Sequence, residues 1–169
     1  MIIAVTGTPG TGKTTLAKKL AKRLGYKLFD VNKFLDENKS AISGFDYNRD
    51  SKIIDVNKLT KDIKRFIKEN DIRDIVIDSH MSHILPKNIV DLVIVARTNL
   101  KVLKKRLEKR KYSKEKVREN LDSEIFEICL NETIEKKHKF IQIDTTNNID
   151  RSHLSEIVKF MGILHKTYK

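Results

Sequence analysis

Short segments rich in Ile, Val and Leu mark the predicted strands. Met1–Val5, Ile72–Ile77 and Leu92–Ala96 are five or six residues long, which is typical of parallel strands buried on both faces. Tyr26–Phe29 and Phe140–Ile143 are shorter apolar segments and predict two further strands. The first strand runs directly into a glycine-rich turn.

Amphipathic repeats lie between these segments and predict helices. Leu16, Leu20 and Leu24 recur at every fourth residue, so a helix is expected over Lys13–Leu24, with Gly25 as its C-cap. The same kind of spacing predicts four more helices, at Val56–Lys68, Asn99–Lys109, Glu115–Ile134 and Ser152–Leu164.

The alternation of strands and helices predicts an α/β protein with a doubly wound sheet of about five parallel strands joined by right-handed crossovers. The 169 residues fit one domain, and we find no repeat or low-complexity linker. The polar, irregular stretch Asp30–Asp55 interrupts the alternation. It predicts an inserted helix and loop, with a turn at Ser43-Gly44.

Composition narrows the class of protein. A hydrophobic fraction of 39% beside 34% charged residues can form a buried core, so the chain is not expected to be disordered. The apolar stretches are far shorter than the ~20 residues of a membrane span. Cys129 is the single cysteine, which excludes an intramolecular disulfide and a multi-cysteine zinc site. We therefore expect a cytoplasmic protein without a membrane partner.

Positive charge is concentrated in one segment. The chain has 35 basic and 23 acidic residues, a net charge of +12. Arg97–Arg118 contains eleven basic residues against Glu108 and Glu115, which gives this segment +9 of the +12. Such a surface suits an anionic partner such as nucleotide phosphate, RNA or an acidic protein. A lysine-rich helix face adapted to heat has the same composition, so charge alone does not choose.

The turn after the first strand carries the strongest chemical motif. Residues 7–14, Gly-Thr-Pro-Gly-Thr-Gly-Lys-Thr, match G-x-x-x-x-G-K-[ST] between a predicted strand and a predicted helix. Gly7, Gly10 and Gly12 let successive backbone N–H groups point at phosphate oxygens, and the helix N-terminus adds partial positive charge. Lys13 is expected to reach the β- and γ-phosphates of ATP, and the Thr14 hydroxyl to ligate Mg²⁺.

A carboxylate follows a second buried strand. Asp78 ends Ile-Val-Ile-Asp, at the carboxyl edge where ligands bind in such sheets, so we expect it to hold the same Mg²⁺ ion. His80 is expected in the same crevice. A metal site that joins His80 and His83 is conceivable, but a structurally bonded histidine is the commoner arrangement and we predict no zinc.

The chain lacks the marks of a GTPase. Asp78 is followed by Ser-His-Met and not by a D-x-x-G switch. Asn32–Asp36 is one residue too long for N-K-x-D. Small size, the insert after the second strand and the Arg-rich segment after the fourth strand instead resemble the nucleoside monophosphate (NMP) kinases, in which an insert covers the acceptor and a lid covers ATP.

Three further patterns narrow the resemblance. They are T-G-T-P-G-x-G-K-T-T at residues 6–15, D-x-H at 78–80, and R-T-N-x-x-x-L-x-x-R-L-E-x-R-x-Y at 97–112 followed by N-x-x-x-E-I-F at 120–126. Together they are similar to the CINAP/Fap family, also called the adenylate kinase isoenzyme six family. The resemblance covers nearly the whole chain, with an acceptor insert at about 30–54 and a lid at about 109–119. One difference is Lys111, where many family members have Gly.

The resemblance implies broad-specificity phosphorylation of AMP and other NMPs by ATP, together with ATP hydrolysis. It also implies a role in late maturation of the small ribosomal subunit and its rRNA, through a ribosomal protein of the subunit platform. ATP and Mg²⁺ are the implied cofactors. The implied ATP-binding residues are Gly10, Gly12, Lys13, Thr14, Thr15 and Arg110, the implied metal ligands are Thr14 and Asp78, and the implied catalytic residues are Lys13, Asp78, His80 and Arg106.

Two other functions remain open on the sequence alone. The protein could be an assembly factor switched by ATP, with incidental kinase activity, or a P-loop kinase that acts on a small-metabolite hydroxyl. Whether RNA is contacted directly is also open, because Lys104, Lys114 and their neighbours fit a solvated helix face as well as an RNA surface.

Overall fold

The computed structural model describes residues 1–47 and 51–166. The strands in chain order are β1 (Ile2–Thr6), β2 (Lys27–Asp30), β3 (Ile42–Asp46), β4 (Ser51–Ile54), β5 (Ile75–Asp78), β6 (Leu92–Arg97) and β7 (Phe140–Asp144). The helices are α1 (Lys13–Leu24), α2 (Val31–Glu37), α3 (Val56–Glu69), α4 (Leu100–Lys109), α5 (Lys114–Ile125), α6 (Ile128–Glu135) and α7 (Arg151–Lys166). None of the helices in these two ranges is long and apolar enough to cross a membrane.

Five parallel strands form the central sheet in the order β2-β5-β1-β6-β7. The predicted doubly wound parallel sheet is confirmed. After β5 the chain crosses over β1 to β6, so the strand order reverses beside β1, the position at which such sheets bind ligands. Val5 of β1 pairs with Asp78 of β5, which places the end of β1 and this carboxylate at the same edge.

The centre of the sheet is buried on both faces because β5, β1 and β6 are apolar at every position but the last. On one face Val76 packs in a cluster with Leu16 of α1 and Ile157 of α7. On the other face Ile77 packs with Ile63 of α3, and the same cluster reaches Leu130 of α6. The two layers hold the strand ends rigidly, so the loops at the carboxyl edge start from fixed positions.

The insert after β2 contains more regular structure than the sequence predicts. Asp30 caps α2 by accepting hydrogen bonds from the backbone N–H groups of Asn32 and Lys33, at 2.9 and 3.2 Å. An antiparallel pair, β3–β4, follows where only a loop was expected. The predicted turn at Ser43-Gly44 is wrong, since both residues lie inside β3.

Two predicted element bounds are also wrong. The expected helix over Glu115–Ile134 is broken after α5, because Glu127 adopts a left-handed backbone conformation with φ 54°. The expected strand over Ile72–Ile77 begins only at Ile75. The N–H group of Ile72 instead donates to the carbonyl of Ile67 at 3.0 Å and closes the end of α3.

Candidate active site

The phosphate-loop motif forms a glycine turn between β1 and α1. Gly7, Gly10 and Gly12 have φ values of 143°, 95° and 93°, which favour glycine. A Cβ at Gly7 would lie 2.5 Å from the Ala96 carbonyl oxygen, so a side chain has no room there. The turn leads directly into the N-terminus of α1, an arrangement that suits bound phosphate.

Lys13 and Asp78 lie buried beside this turn. Burial lowers the pKa of Lys13, and the nearby Asp78 carboxylate opposes that shift. Burial also raises the pKa of Asp78, whereas a hydrogen bond from the Thr14 side chain and the Lys13 ammonium lower it. The pair therefore sits in a poorly solvated site, where charges act strongly on one another and on a bound phosphate.

The surroundings of Asp78 fit a hydrated divalent cation. Its Oδ1 atom is buried and has no hydrogen-bond partner among the described residues, so this acceptor is available to a cation or to a water bound to it. Thr14 contributes a hydroxyl beside it. Across residues 1–47 and 51–166 we find no cluster of three or more His, Cys, Asp or Glu side chains that could cage a metal. Mg²⁺ suits such a site, because it keeps several waters and takes phosphate oxygens as ligands.

The two neighbouring histidines have different surroundings. His83 is buried, and its Nδ1 and Nε2 atoms lie 2.6 Å from Thr6 Oγ1 and 2.6 Å from Glu132 Oε2. Both ring nitrogens are therefore engaged, which leaves none for a metal shared with His80. His80 borders the crevice in front of the phosphate loop. His80 is exposed as a residue, but desolvation of its ring, and then the Lys13 ammonium, lower its pKa to about 4, so the ring is neutral at pH 7.

Two cavities meet at the phosphate loop. The larger has a volume of about 900 Å³ and is bordered by Lys13, Thr14, His80 and Arg110, by Asn32 and Ser51 of the insert, and by Asn120 and Ser123 of α5. The smaller has a volume of about 490 Å³ and is bordered by Gly10, Gly12, Thr15, Arg106, Arg110 and the loop after β7. Arg110, at the end of α4, borders both cavities, and the predicted site residues other than Asp78 line one or the other.

The Arg106 guanidinium donates hydrogen bonds to backbone carbonyl groups. Its Nη2 donates to the carbonyls of Thr145 and Thr146, both at 2.9 Å. Its Nη1 lies 3.5 and 3.4 Å from the carbonyl oxygens of Gly10 and Thr11. The guanidinium thus ties the phosphate loop to the loop after β7, and direct contact with a transferred phosphate stays a prediction.

A buried contact on the opposite side of the loop was not predicted from the sequence. Thr8 Oγ1 donates to Glu124 Oε2 at 2.7 Å, and Arg97 Nε donates to Glu124 Oε1 at 2.9 Å. The Thr98 N–H group approaches the same Oε1 at 3.2 Å. Arg97 begins the pattern at 97–112 and Glu124 lies in the pattern at 120–126, so the sequence marked both residues. Their spacing along the chain did not show that they are in contact.

Known proteins place this chain in a family. The family described as "AAA domain" matches residues 3–127. A "Putative adenylate kinase" from Methanocaldococcus jannaschii is 42% identical over 166 residues, which cover 98% of this chain and 88% of that protein. A protein of the same name from Pyrococcus abyssi is 37% identical over 159 residues, which cover 94% of this chain and 82% of that protein.

A solved structure with low sequence identity shares the fold. Shikimate kinase from Acinetobacter baumannii superposes with a TM-score of 0.64 at 16% identity, covering 99% of this chain and 95% of that chain. At this identity the likeness shows the fold alone, and the narrower CINAP/Fap assignment stays a prediction. From the match to residues 3–127 and the two archaeal relatives, the chain belongs to this family of adenylate kinase-like P-loop proteins.

Proposed function

We propose that the protein is an NMP kinase that transfers the γ-phosphoryl group of ATP to AMP or another NMP. The observation that carries this proposal is the meeting of two cavities at one phosphate loop, with Arg110 bordering both. A hydrolase needs one nucleotide site, whereas a transferase between nucleotides needs two sites that share the reacting phosphate. The curated archaeal relatives carry adenylate kinase names, which supports the same reaction.

The surroundings of each cavity support a different substrate for each. The smaller cavity lies against Gly10, Gly12 and Thr15, so the adenosine part of ATP fits there while its phosphates follow the loop toward Lys13. The larger cavity opens in front of Lys13 and is bordered by the insert and by α5. It is the site for the acceptor, whose phosphate approaches the γ-phosphoryl group from that side.

Positioning and charge supply the chemistry. Lys13 and Arg110 place positive charge where the transferred phosphoryl group develops negative charge. Thr14 and Asp78 would hold Mg²⁺, which neutralises the β- and γ-phosphate oxygens when bound. The neutral ring of His80 can accept a hydrogen bond from a water or hold the acceptor phosphate in line. No covalent intermediate on the protein is needed.

The acceptor cavity has an apolar wall that suits a base. Phe126, at the break between α5 and α6, is 65% exposed, and Ile128 beside it is 40% exposed. The left-handed backbone conformation of Glu127 produces the break between the helices, and Asn131 Nδ2 donates to the Phe126 carbonyl at 2.9 Å. Stacking on an aromatic ring accepts every base, so this wall supports broad acceptor specificity.

ATP hydrolysis and a role in ribosome maturation are the finer parts of the proposal. His80 borders the open cavity where water reaches the phosphate loop, and this position supports hydrolysis when no acceptor is bound. The CINAP/Fap resemblance supports late maturation of the small subunit, with a platform ribosomal protein as the partner. Co-sedimentation with purified small subunits, in ATP and in a non-hydrolysable analogue, tests this role. We expect more protein in the small-subunit fraction with the analogue than with ATP, and identical recovery in the two would contradict release driven by hydrolysis.

Product analysis tests the transferase directly. The protein is incubated with MgATP and, in separate reactions, AMP, CMP, GMP, UMP or shikimate, and the products are separated by ion-exchange chromatography. We expect nucleoside diphosphates from the NMPs and no phosphorylated shikimate. A preparation of Lys13→Ala, purified identically, controls for contaminating kinases, and its rate should be lower by a factor of ~10²–10³. Phosphorylated shikimate, with AMP, CMP, GMP and UMP left unconsumed in their own reactions, would establish the small-metabolite alternative instead.

A further inference from the structure

The phosphate loop is held from two sides by different groups. On the side of the smaller cavity, Arg106 Nη1 contacts the carbonyls of Gly10 and Thr11, and the Thr145 hydroxyl donates to Thr11 as well. On the side of the larger cavity the hold on Thr8 comes from Glu124 of α5. The two halves of the loop are therefore attached to separate parts of the fold, and Thr11 joins them, since its hydroxyl and its N–H group donate to the Thr8 carbonyl at 2.8 and 3.1 Å.

Glu124 is well placed to transmit the position of α5 to the loop. Its side chain is 4% exposed, and one oxygen serves Thr8 while the other serves Arg97 and Thr98 at the end of β6. The Arg97 guanidinium compensates the buried negative charge, and it also pairs with Glu127 at 2.8 Å. A carboxylate fixed by β6 in this way leaves Thr8 little freedom.

The helix that carries Glu124 also builds the acceptor cavity. Asn120 and Ser123 of α5 border that cavity, and so does Pro9, the residue after Thr8. Asn120 is itself fixed, because its Nδ2 donates to the Lys116 carbonyl at 2.6 Å. The Thr8–Glu124 hydrogen bond thus joins the phosphate loop to a helix that borders the same cavity.

We propose that Glu124, through its hydrogen bond to Thr8, is a positioning residue that aligns the acceptor with the phosphate loop. Glu124 does not border either cavity, so it acts through Thr8 and Pro9 and not by touching the nucleotide. This inference rests on the proposed transferase function. The loop then has two halves: one binds ATP and is fixed by Arg106, and the other faces the acceptor and is fixed by Glu124.

A pair of substitutions at Thr8 tests the hydrogen bond without disturbing the Arg97–Glu124 pair. Thr8→Val keeps the shape and removes the hydroxyl, and Thr8→Ser keeps the hydroxyl. We expect Thr8→Val to lower kcat for AMP phosphorylation about tenfold and to raise the AMP KM, because small misplacements of reacting groups are costly. The ATP KM should change less than about threefold, since the Arg106 contacts remain. Thr8→Ser should recover most of the lost rate.

A double-mutant cycle assigns the effect to Glu124. In a Glu124→Gln background the charged acceptor is gone, so Thr8→Val should cost clearly less than in the wild-type background. Equal costs in both backgrounds would overturn the proposal. So would a Thr8→Val variant with wild-type kcat, or a Thr8→Ser variant as impaired as Thr8→Val, because the hydroxyl would then be irrelevant.

Hydrogen exchange provides a readout that does not depend on the reaction. In nucleotide-free protein, Thr8→Val should speed amide exchange in the peptide that covers residues 6–12 about tenfold, because a hydrogen bond to a charged group is lost. Exchange in β7 and α7 should stay at the wild-type rate. Unchanged exchange in residues 6–12 would overturn the positioning role even in an active enzyme. Faster exchange in a protein that phosphorylates no NMP would uphold the contact and reject the transferase function.

Discussion

His83 Nε2 lies 2.6 Å from Glu132 Oε2, and this partly buried contact separates the roles of two histidines three positions apart. His83 is fixed at both ring nitrogens between β1 and α6. His80 borders the acceptor cavity with a neutral ring. The histidine of the D-x-H pattern therefore borders the crevice, whereas His83 holds β1 and α6 together.

Removal of His80 should affect hydrolysis more than transfer. An acceptor phosphate is oriented by its own binding contacts, whereas a water molecule depends on a positioning side chain. We expect His80→Gly to lower ATP hydrolysis in the absence of acceptor by a larger factor than AMP phosphorylation. Both reactions are assayed on the same folded sample, so their ratio is the internal control. Equal losses, or no loss in either reaction, would contradict this role.

Arg110 should matter far more than the lysines around it. Arg110 borders both cavities, whereas Lys104 and Lys114 lie exposed on α4 and α5. We expect Arg110→Ala to raise the ATP KM about tenfold or more, because a charge-assisted contact to phosphate is lost. Lys104→Ala and Lys114→Ala, the matched controls, should leave the ATP KM within about twofold, as exposed charges are screened. Lysine effects as large as that of Arg110→Ala would show that the segment acts through net charge.

Phe126 should determine acceptor affinity. If an acceptor base stacks on its ring, Phe126→Ala removes about 1–3 kcal/mol of binding and raises the AMP KM about tenfold or more. The ATP KM should not change, because Phe126 does not border the smaller cavity. Ile134→Ala, at a 49% exposed position of α6 away from both cavities, is the control. An unchanged AMP KM in Phe126→Ala would place the base elsewhere.

Acid should destabilise the fold through two buried histidines. Burial lowers the pKa of His83, with an opposing contribution from Glu132, and burial also lowers the pKa of His138, whose Nε2 contacts the His83 carbonyl oxygen. In the unfolded chain each histidine titrates near its ordinary pKa of about 6.5. Below that pH the unfolded state binds more protons than the folded state. The stability that the two neutral histidines contribute is therefore fully present above about pH 6.5, and it is lost as the pH falls toward their lowered pKa values in the folded protein.

Urea unfolding at pH 7.5 and pH 5.5 measures this loss. The free energy of unfolding should decrease by at most about 1.4 kcal/mol per pH unit for each histidine. His138→Asn should reduce the pH dependence of the free energy of unfolding by the amount that one histidine contributes. A free energy of unfolding that is constant over this interval, or that rises on acidification, would contradict the buried neutral histidines.

Local spacing was sufficient to predict the core of the site. The residues from Gly7 to Thr14 are contiguous, and Asp78 follows an apolar strand, so the pattern of residues alone places both at the carboxyl edge of the sheet. Their neighbourhood follows from the pairing of Val5 with Asp78. The five-stranded parallel sheet was predictable for the same reason, since its strands are apolar segments separated by helices.

Features that depend on packing or on a single backbone angle were not predictable. Residues 115–134 read as one helix, and the left-handed conformation of Glu127 that breaks it has no marker such as Gly or Pro. Thr8 and Glu124 are 116 positions apart, so their contact depends on how α5 folds back over the loop. Arg106 reads as a lid cation by its spacing, yet the carbonyls of the loop after β7 occupy it.

Incubation with MgADP alone tests the two-site account most directly. A kinase that binds one nucleotide in each cavity must also run in reverse, and two ADP molecules then yield one ATP and one AMP. In the initial phase of the reaction, before the ATP formed is hydrolysed, we predict equal amounts of ATP and AMP, measured by chromatography of the quenched reaction. The Lys13→Ala variant should form neither product above background. Persistence of ADP, or the appearance of AMP and phosphate with no ATP even at the earliest times, would contradict transfer between two nucleotides on this protein.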